Sequence, residues 1–294
     1  MKNDIINFRR FGKYFASDIR TCWANFGLSL LTISLLFPIS VALTTGFFNL
    51  VLEGAWDSAD MGIRFFVFCI AFVCLIVIMP VKCYGKITEK QYGSFWLALP
   101  ASKLEKFISM FLMTCLIVPV IGIGLYLGVD AIICAIDSTC GNNLVAGGRE
   151  LFGKMNELKE MTLNFVDETI TVEDATAVHE ILRQVSSPFL YVDEIFSATL
   201  PFLLGALYFK SGKTVKTFLV LFAVGIASSI LMTPVMENWT AQVMEGLNED
   251  PTLVLNLIDN GVVKHLVIID IISDTVVNLA LMAGIWFRIK TLQH

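Results

Sequence analysis

The sequence predicts an all-α, polytopic membrane protein, on three observations. Its 294 residues are 56% hydrophobic with a mean hydropathy of +0.73, richer in apolar side chains than soluble domains are. Six stretches are long enough to cross a hydrocarbon core of about 30 Å, which takes about 20 helical residues. Basic residues gather on alternate connections between those stretches, as membrane insertion requires.

The chain opens with Phe8, Phe11, Phe15, Ile19, Cys22 and Phe26, spaced three or four apart, while Arg9, Arg10, Lys13 and Arg20 lie mostly elsewhere around the helix. That pattern predicts an amphipathic helix in the membrane interface, with its cations near lipid phosphates, or else a plain extension of the first span. The spans follow near Phe26–Leu50, Ile63–Val81, Phe107–Ile136, Phe189–Phe209, Thr217–Met236 and Leu266–Phe287. The first is too long for a signal-peptide core and is expected to be retained. The third exceeds one crossing, so it should tilt or project. The fourth carries Asp193 and Glu194 near its start.

An even number of spans puts both termini on one side. The N-terminal arm, Lys82–Lys106, Lys210–Lys216 and the tail hold 15 of the 21 basic residues and only four acids, Asp4, Asp18, Glu89 and Glu105. The positive-inside rule therefore makes these segments cytoplasmic, so Ser94 and Gly212 lie inside and Asn156 and Gln242 outside. The net charge of −5 belongs to an acidic exterior, and no nucleic-acid partner is expected. The expected location is a bacterial inner or plasma membrane, with the lipid bilayer as its surroundings.

Three regions follow from this order. Residues 1–136 hold the interfacial helix and spans one to three, with a cytoplasmic loop at 86–107. Residues 137–188 form an extracytoplasmic helical insertion, too long for a plain turn. In it Leu151, Met155, Leu158, Met161 and Phe165 mark one helix. Thr171 to Asp174 begin a second, which repeats Val178, Ile181, Leu182 and Val185. Residues 189–294 hold spans four to six, with a segment at 237–265 that breaks at Pro251 and dips into the outer leaflet.

Seven cysteines make no metal pattern. Cys69, Cys74, Cys115 and Cys134 sit in apolar runs as small hydrophobes, and whether Cys134 pairs with Cys140 at the outer face is open. The stretch Ser211-Gly-Lys-Thr214 has the tail of a phosphate-binding loop, but Leu207 stands where its first glycine belongs and apolar spans flank it. It is expected to be a polar turn whose Lys210, Lys213 and Lys216 set topology. The three histidines are scattered, and no HExxH or nucleophile elbow occurs, so no catalytic, cofactor or metal site is expected.

The loop after span two is the most informative. Thr88-Glu-Lys-Gln91 predicts a capping box that starts a helix at once, with Tyr92, Phe95, Trp96 and Leu99 as one aromatic face. Pro100 pushes Leu99 out of helical geometry and ends it. Ser102-Lys-Leu-Glu105 is a second capping box, launching span three. Such a face suits lipid headgroups and suits a cytoplasmic partner equally well.

The run Leu99-Pro-Ala-Ser-Lys-Leu-Glu105 resembles the segment that leads into the third span of ABC-2-type transporter permeases, at Leu99, Pro100, Ser102, Lys103 and Glu105. Six spans, an interfacial N-terminal helix and a dipping segment before the last span are similar across most of the chain, while the external insertion departs from compact members. The resemblance implies a membrane-spanning export subunit that is not itself an enzyme. Its loop would dock into a separately encoded P-loop ATPase carrying ATP and Mg, and a second permease chain, identical or different, would complete the pathway. Tyr92, Phe95, Trp96, Leu99, Pro100 and Glu105 would then couple to the ATPase. The rival is an ATP-independent scaffold, sensor or secondary carrier whose external cap binds a ligand.

Span six carries Asp270, Asp274 and Asn278 four residues apart, hence along one helical face. They either face a pathway or a partner chain, or lie near the outer interface. Asp130 and the pair Asp193-Glu194 are expected to be outer-interface groups.

Overall fold

The computed structural model describes residues 6–150, 188–249 and 262–292, and among them it is helical without a strand. The helices are α1 (Phe8–Leu52), α2 (Met61–Tyr84), α3 (Lys90–Ala98), α4 (Lys103–Leu112), α5 (Val118–Ile136), α6 (Pro188–Tyr208), α7 (Lys213–Glu249) and α8 (Val262–Thr291). Five segments are long and apolar enough to cross a membrane: Phe8–Leu52, Met61–Thr88, Lys103–Ile136, Lys213–Pro234 and Ile272–Thr291. The fourth expected span falls on the continuous helix α6, which is not among these five and carries Asp193 and Glu194. The two helices expected at 151–165 and 171–185, and the dip beyond Glu249, lie outside the described residues.

α1 is one helix of 45 residues. No break separates an interfacial segment from span one, because nothing between Ile19 and Phe26 interrupts helix propagation. Asn7 starts it by accepting the N–H groups of Arg9 and Arg10, satisfying two donors that have no intrahelical acceptor. At 1.5 Å per residue α1 is about 67 Å long, roughly twice the hydrocarbon thickness. The third span is long in the same way, from Lys103 to Ile136, but it is not uniform. The π turn Met113–Ile117 joins α4 to α5, with the Val118 N–H reaching back to Met113 O. Pro119 accounts for it: proline has no N–H for the Cys115 carbonyl and its ring would crowd that group, so the extra residue relieves the conflict.

The chain divides into two units. The first comprises residues 1–152, 198–214 and 281–294, and in it α1 packs on both α2 and α5. Ala71, Tyr126 and Leu144 form a buried cluster with Phe68, Ile33 and Phe37 against it. α2 and α5 approach closely at Gly122, where any Cβ would overlap the Leu75 side chain. In the second unit, residues 153–197 and 215–280, α7 is exposed from Phe218 to Pro234. That suits a helix bathed in lipid, which asks for no inward face.

Candidate functional site

The expected coupling helix is present as α3, flanked by the boundaries the sequence predicts on one side only. The Thr88–Gln91 capping box is not formed. The Thr88 hydroxyl donates instead to Gly85 O, within the 3-10 turn Gly85–Thr88, and Glu89 stands at the N-cap without a side-chain bond. That turn absorbs Thr88 because Lys213 Nζ donates to Thr88 Oγ1 at 2.6 Å and also to Gly85 O. The residue that completes the phosphate-loop likeness is therefore engaged by this chain's own backbone, and Gly212 takes a φ of 60° in the turn before it. The second capping box is complete. Ser102 Oγ accepts from Glu105 N and Glu105 Oε2 accepts from Ser102 N.

The aromatic face of α3 is divided. Trp96 is 3% exposed, its indole N–H donating to Tyr14 Oη at 3.1 Å. Lys106 lies over its ring, 4.8 Å from the centroid. The same ammonium donates to the carbonyls of Trp96 at 2.8 Å and Leu97 at 3.2 Å, satisfying acceptors that the end of a short helix leaves open. Phe95, one residue away, is 65% exposed. Tyr92 and Leu99 are half-buried and Pro100 is exposed. Burial pushes the Tyr92 phenol up from its ordinary pKa.

Glu105 is fully buried and is held from three directions. Arg10 Nε lies 2.8 Å from Oε2, Arg10 Nη2 donates to Oε1 at 2.9 Å, and the Asn7 N–H donates to Oε1 at 2.9 Å. A further cluster lies one step along α1: Asp18 Oδ2 accepts from the hydroxyls of Tyr84, at 2.9 Å, and Ser109. Together these contacts fasten α3 and the start of α4 to α1. A cavity of about 430 Å³ opens beside them, lined by Asn7, Arg9, Arg10, Lys13, Tyr14, Ser17, Leu99 and Pro100.

The opposite end of the same unit holds a second charged centre. Arg64 Nη1 pairs with Asp130 Oδ1 at 2.7 Å, the side chains 6% and 3% exposed. Nε donates to Ala59 O, Nη1 also to Cys134 Sγ, and Nη2 to the carbonyls of Cys140 and Asn142. All five guanidinium N–H groups are thus used, and Asp130 Oδ2 accepts from Leu144 N at 2.7 Å. Cys134 and Cys140 form a disulfide, which closes the question the spacing left open. Asp130, expected at the outer interface, is buried between α2 and α5. Just beyond, the Trp56 indole and Thr139 hold the Asp137 carboxyl below its usual range by hydrogen bonding.

In the second unit Asn278 is 4% exposed, and its amide donates to Asp193 Oδ1 and Ser197 Oγ, each at 2.8 Å. Asp193 is likewise buried, while Asp274 is exposed. The stripe is therefore split. The side chain of Asp270 lies outside the described residues.

No protein-family model, curated protein or solved structure matches the chain.

Proposed function

We propose that the chain is the membrane-spanning subunit of an ABC-2-type exporter, with six spans, an interfacial segment at the start of α1, and both termini in the cytoplasm. A separate P-loop ATPase, with its ATP and Mg, docks on α3, and a second permease chain completes the pathway. The observation that carries this reading is the way α3 is mounted. Its buried side, Trp96, is locked to α1 through Tyr14 and to the first turn of the third span through Lys106, so displacement of α3 is passed to both helices. Its other side offers Phe95 to solvent, and the basic cavity formed with Arg9 and Lys13 lies beside it. A rigidly held short helix with one exposed aromatic is suited to transmit force from a partner, whereas a helix resting on lipid needs no such mounting. The disulfide at the far end supports the same orientation, since such bonds persist in oxidising compartments.

The test separates the two aromatics. Phe95→Ala removes an exposed anchor, and hot-spot losses of about 2 kcal/mol at about 1.4 kcal/mol per tenfold weaken ATPase association at least tenfold, with thermal stability unchanged. Trp96→Ala should instead lower the stability of the chain itself. Co-purification of the ATPase with Phe95→Ala at wild-type levels, or failure of any ATPase to co-purify with the unmodified chain, overturns the reading.

A further inference from the structure

The polar cluster of the second unit lacks something. Asp193 is 8% exposed, and the amide of Asn278 is its sole polar side-chain partner among the described residues. No cation faces it. Across from it the Asn278 carbonyl oxygen, Oδ1, is buried and has no donor. A carboxylate without a counter-charge and an amide oxygen without a donor are each costly in an apolar setting, and here the same Asn278 side chain joins them. The flanking residues Val276, Val277 and Leu279 are exposed and apolar, so bulk water is not adjacent if α8 is surrounded by lipid.

We propose that this cluster binds a hard monovalent cation of the sodium or potassium kind. The donor set fits: Asp193 Oδ1 and Ser197 Oγ each lie within hydrogen-bond distance of the Asn278 side-chain nitrogen, with Asp193 and Ser197 one helical turn apart on the same face of α6. All are oxygen ligands of the type that hard cations take. A single carboxylate balances a single positive charge, whereas a divalent ion would leave a net charge buried. Binding requires one small movement. Half a turn of the Asn278 amide exchanges its N–H₂ for its orphaned oxygen, which then joins Ser197 and Asp193 around the ion. In the ion-free arrangement the N–H₂ occupies that position and donates to the same two oxygens. The cluster is thus a switch between two arrangements, and only the one that holds the cation gives the Asn278 oxygen a partner. The proposal does not depend on an ATPase partner.

The purified full-length chain in phosphatidylcholine nanodiscs tests it, by thermal unfolding in choline chloride and in sodium or potassium chloride at equal ionic strength. One of the inorganic cations should raise the unfolding temperature saturably, as ligand binding to the folded state must. Asp193→Asn should abolish that rise without lowering stability in choline, since it removes the unpaired charge. Ser197→Ala should move the half-saturating concentration upward. Asn278→Asp, with two carboxylates, should turn the preference toward calcium. Identical unfolding of the unmodified chain in all three salts overturns the proposal, as does a rise that survives Asp193→Asn undiminished.

Discussion

The two ends of the first unit both bury charge, but they do so differently. At the disulfide end, the Arg64–Asp130 pair is enclosed on both sides, with side chains 6% and 3% exposed, whereas at the end that carries α3 Glu105 is sealed and Arg10 remains 37% exposed. At the first end every guanidinium donor is spent on the protein, and the loop after α5 is folded back over the pair by the disulfide and by the carbonyls of Cys140 and Asn142. At the second, water reaches Arg10 and can replace what a displaced partner gave up. A closed charge centre has no intermediate arrangement and fixes α2 against α5. A half-open one can be rearranged at modest cost. If α3 couples to a partner as proposed, the half-open end is the one suited to rearrange and the closed end the one that holds the unit together.

The comparison breaks most visibly at Arg64. Arg64→Ala leaves the Asp130 carboxylate buried with, among the described residues, the Leu144 N–H as its one remaining partner, and stranding one partner of a buried pair costs about 3–5 kcal/mol. Purified protein should unfold at a markedly lower temperature. Joint replacement by Arg64→Leu and Asp130→Leu should recover most of the loss, because a buried pair can be exchanged for apolar groups of similar volume; a double variant as weak as the single would show the charges to be needed for more than mutual neutralisation. Next in size is the disulfide. Replacing Cys134 and Cys140 by serine releases a constraint spanning a separation of six residues, for which chain entropy gives about 2 kcal/mol. The loss should appear as a lower unfolding temperature, matched by treating the native protein with a reductant.

What the sequence made legible, and what it did not, follows the range of the interaction. The Ser102–Glu105 capping box and the stop at Pro100 depend on residues a few positions apart, and both stand as expected. The Thr88 box failed because a lysine 125 residues away competes for the hydroxyl. Trp96 and Phe95 look equivalent on a helical wheel, and only Tyr14, 82 residues distant, decides which is buried. The same holds for Asp130. Its partner Arg64 lies within an apolar run, and an ionisable residue there predicts a partner of opposite sign, a signal that residue spacing alone does not supply. The unbroken α1 was hidden for another reason: passage from an interface into a bilayer changes the surroundings of a helix without requiring any residue to end it.

The smallest effect sharpens the contrast, and it lies at Ser102. Ser102→Ala removes the hydroxyl that accepts from Glu105 N, one half of the capping box, while Glu105 Oε2 keeps its bond from Ser102 N. Loss of a capping hydroxyl costs about 1 kcal/mol. Because Arg10 and the Asn7 N–H still hold Glu105 in place, the carboxylate is not stranded, and the change should remain near that figure rather than approach the Arg64 value. Thermal unfolding of the purified variant measures it. If α3 couples a partner to α4 as proposed, the same substitution loosens the first turn of α4, so the ATPase should still bind at wild-type levels while its stimulation by the permease falls. A loss of stability as large as that of Arg64→Ala would refute the division, because it would mean that this end, too, is a closed centre in which no group can be spared.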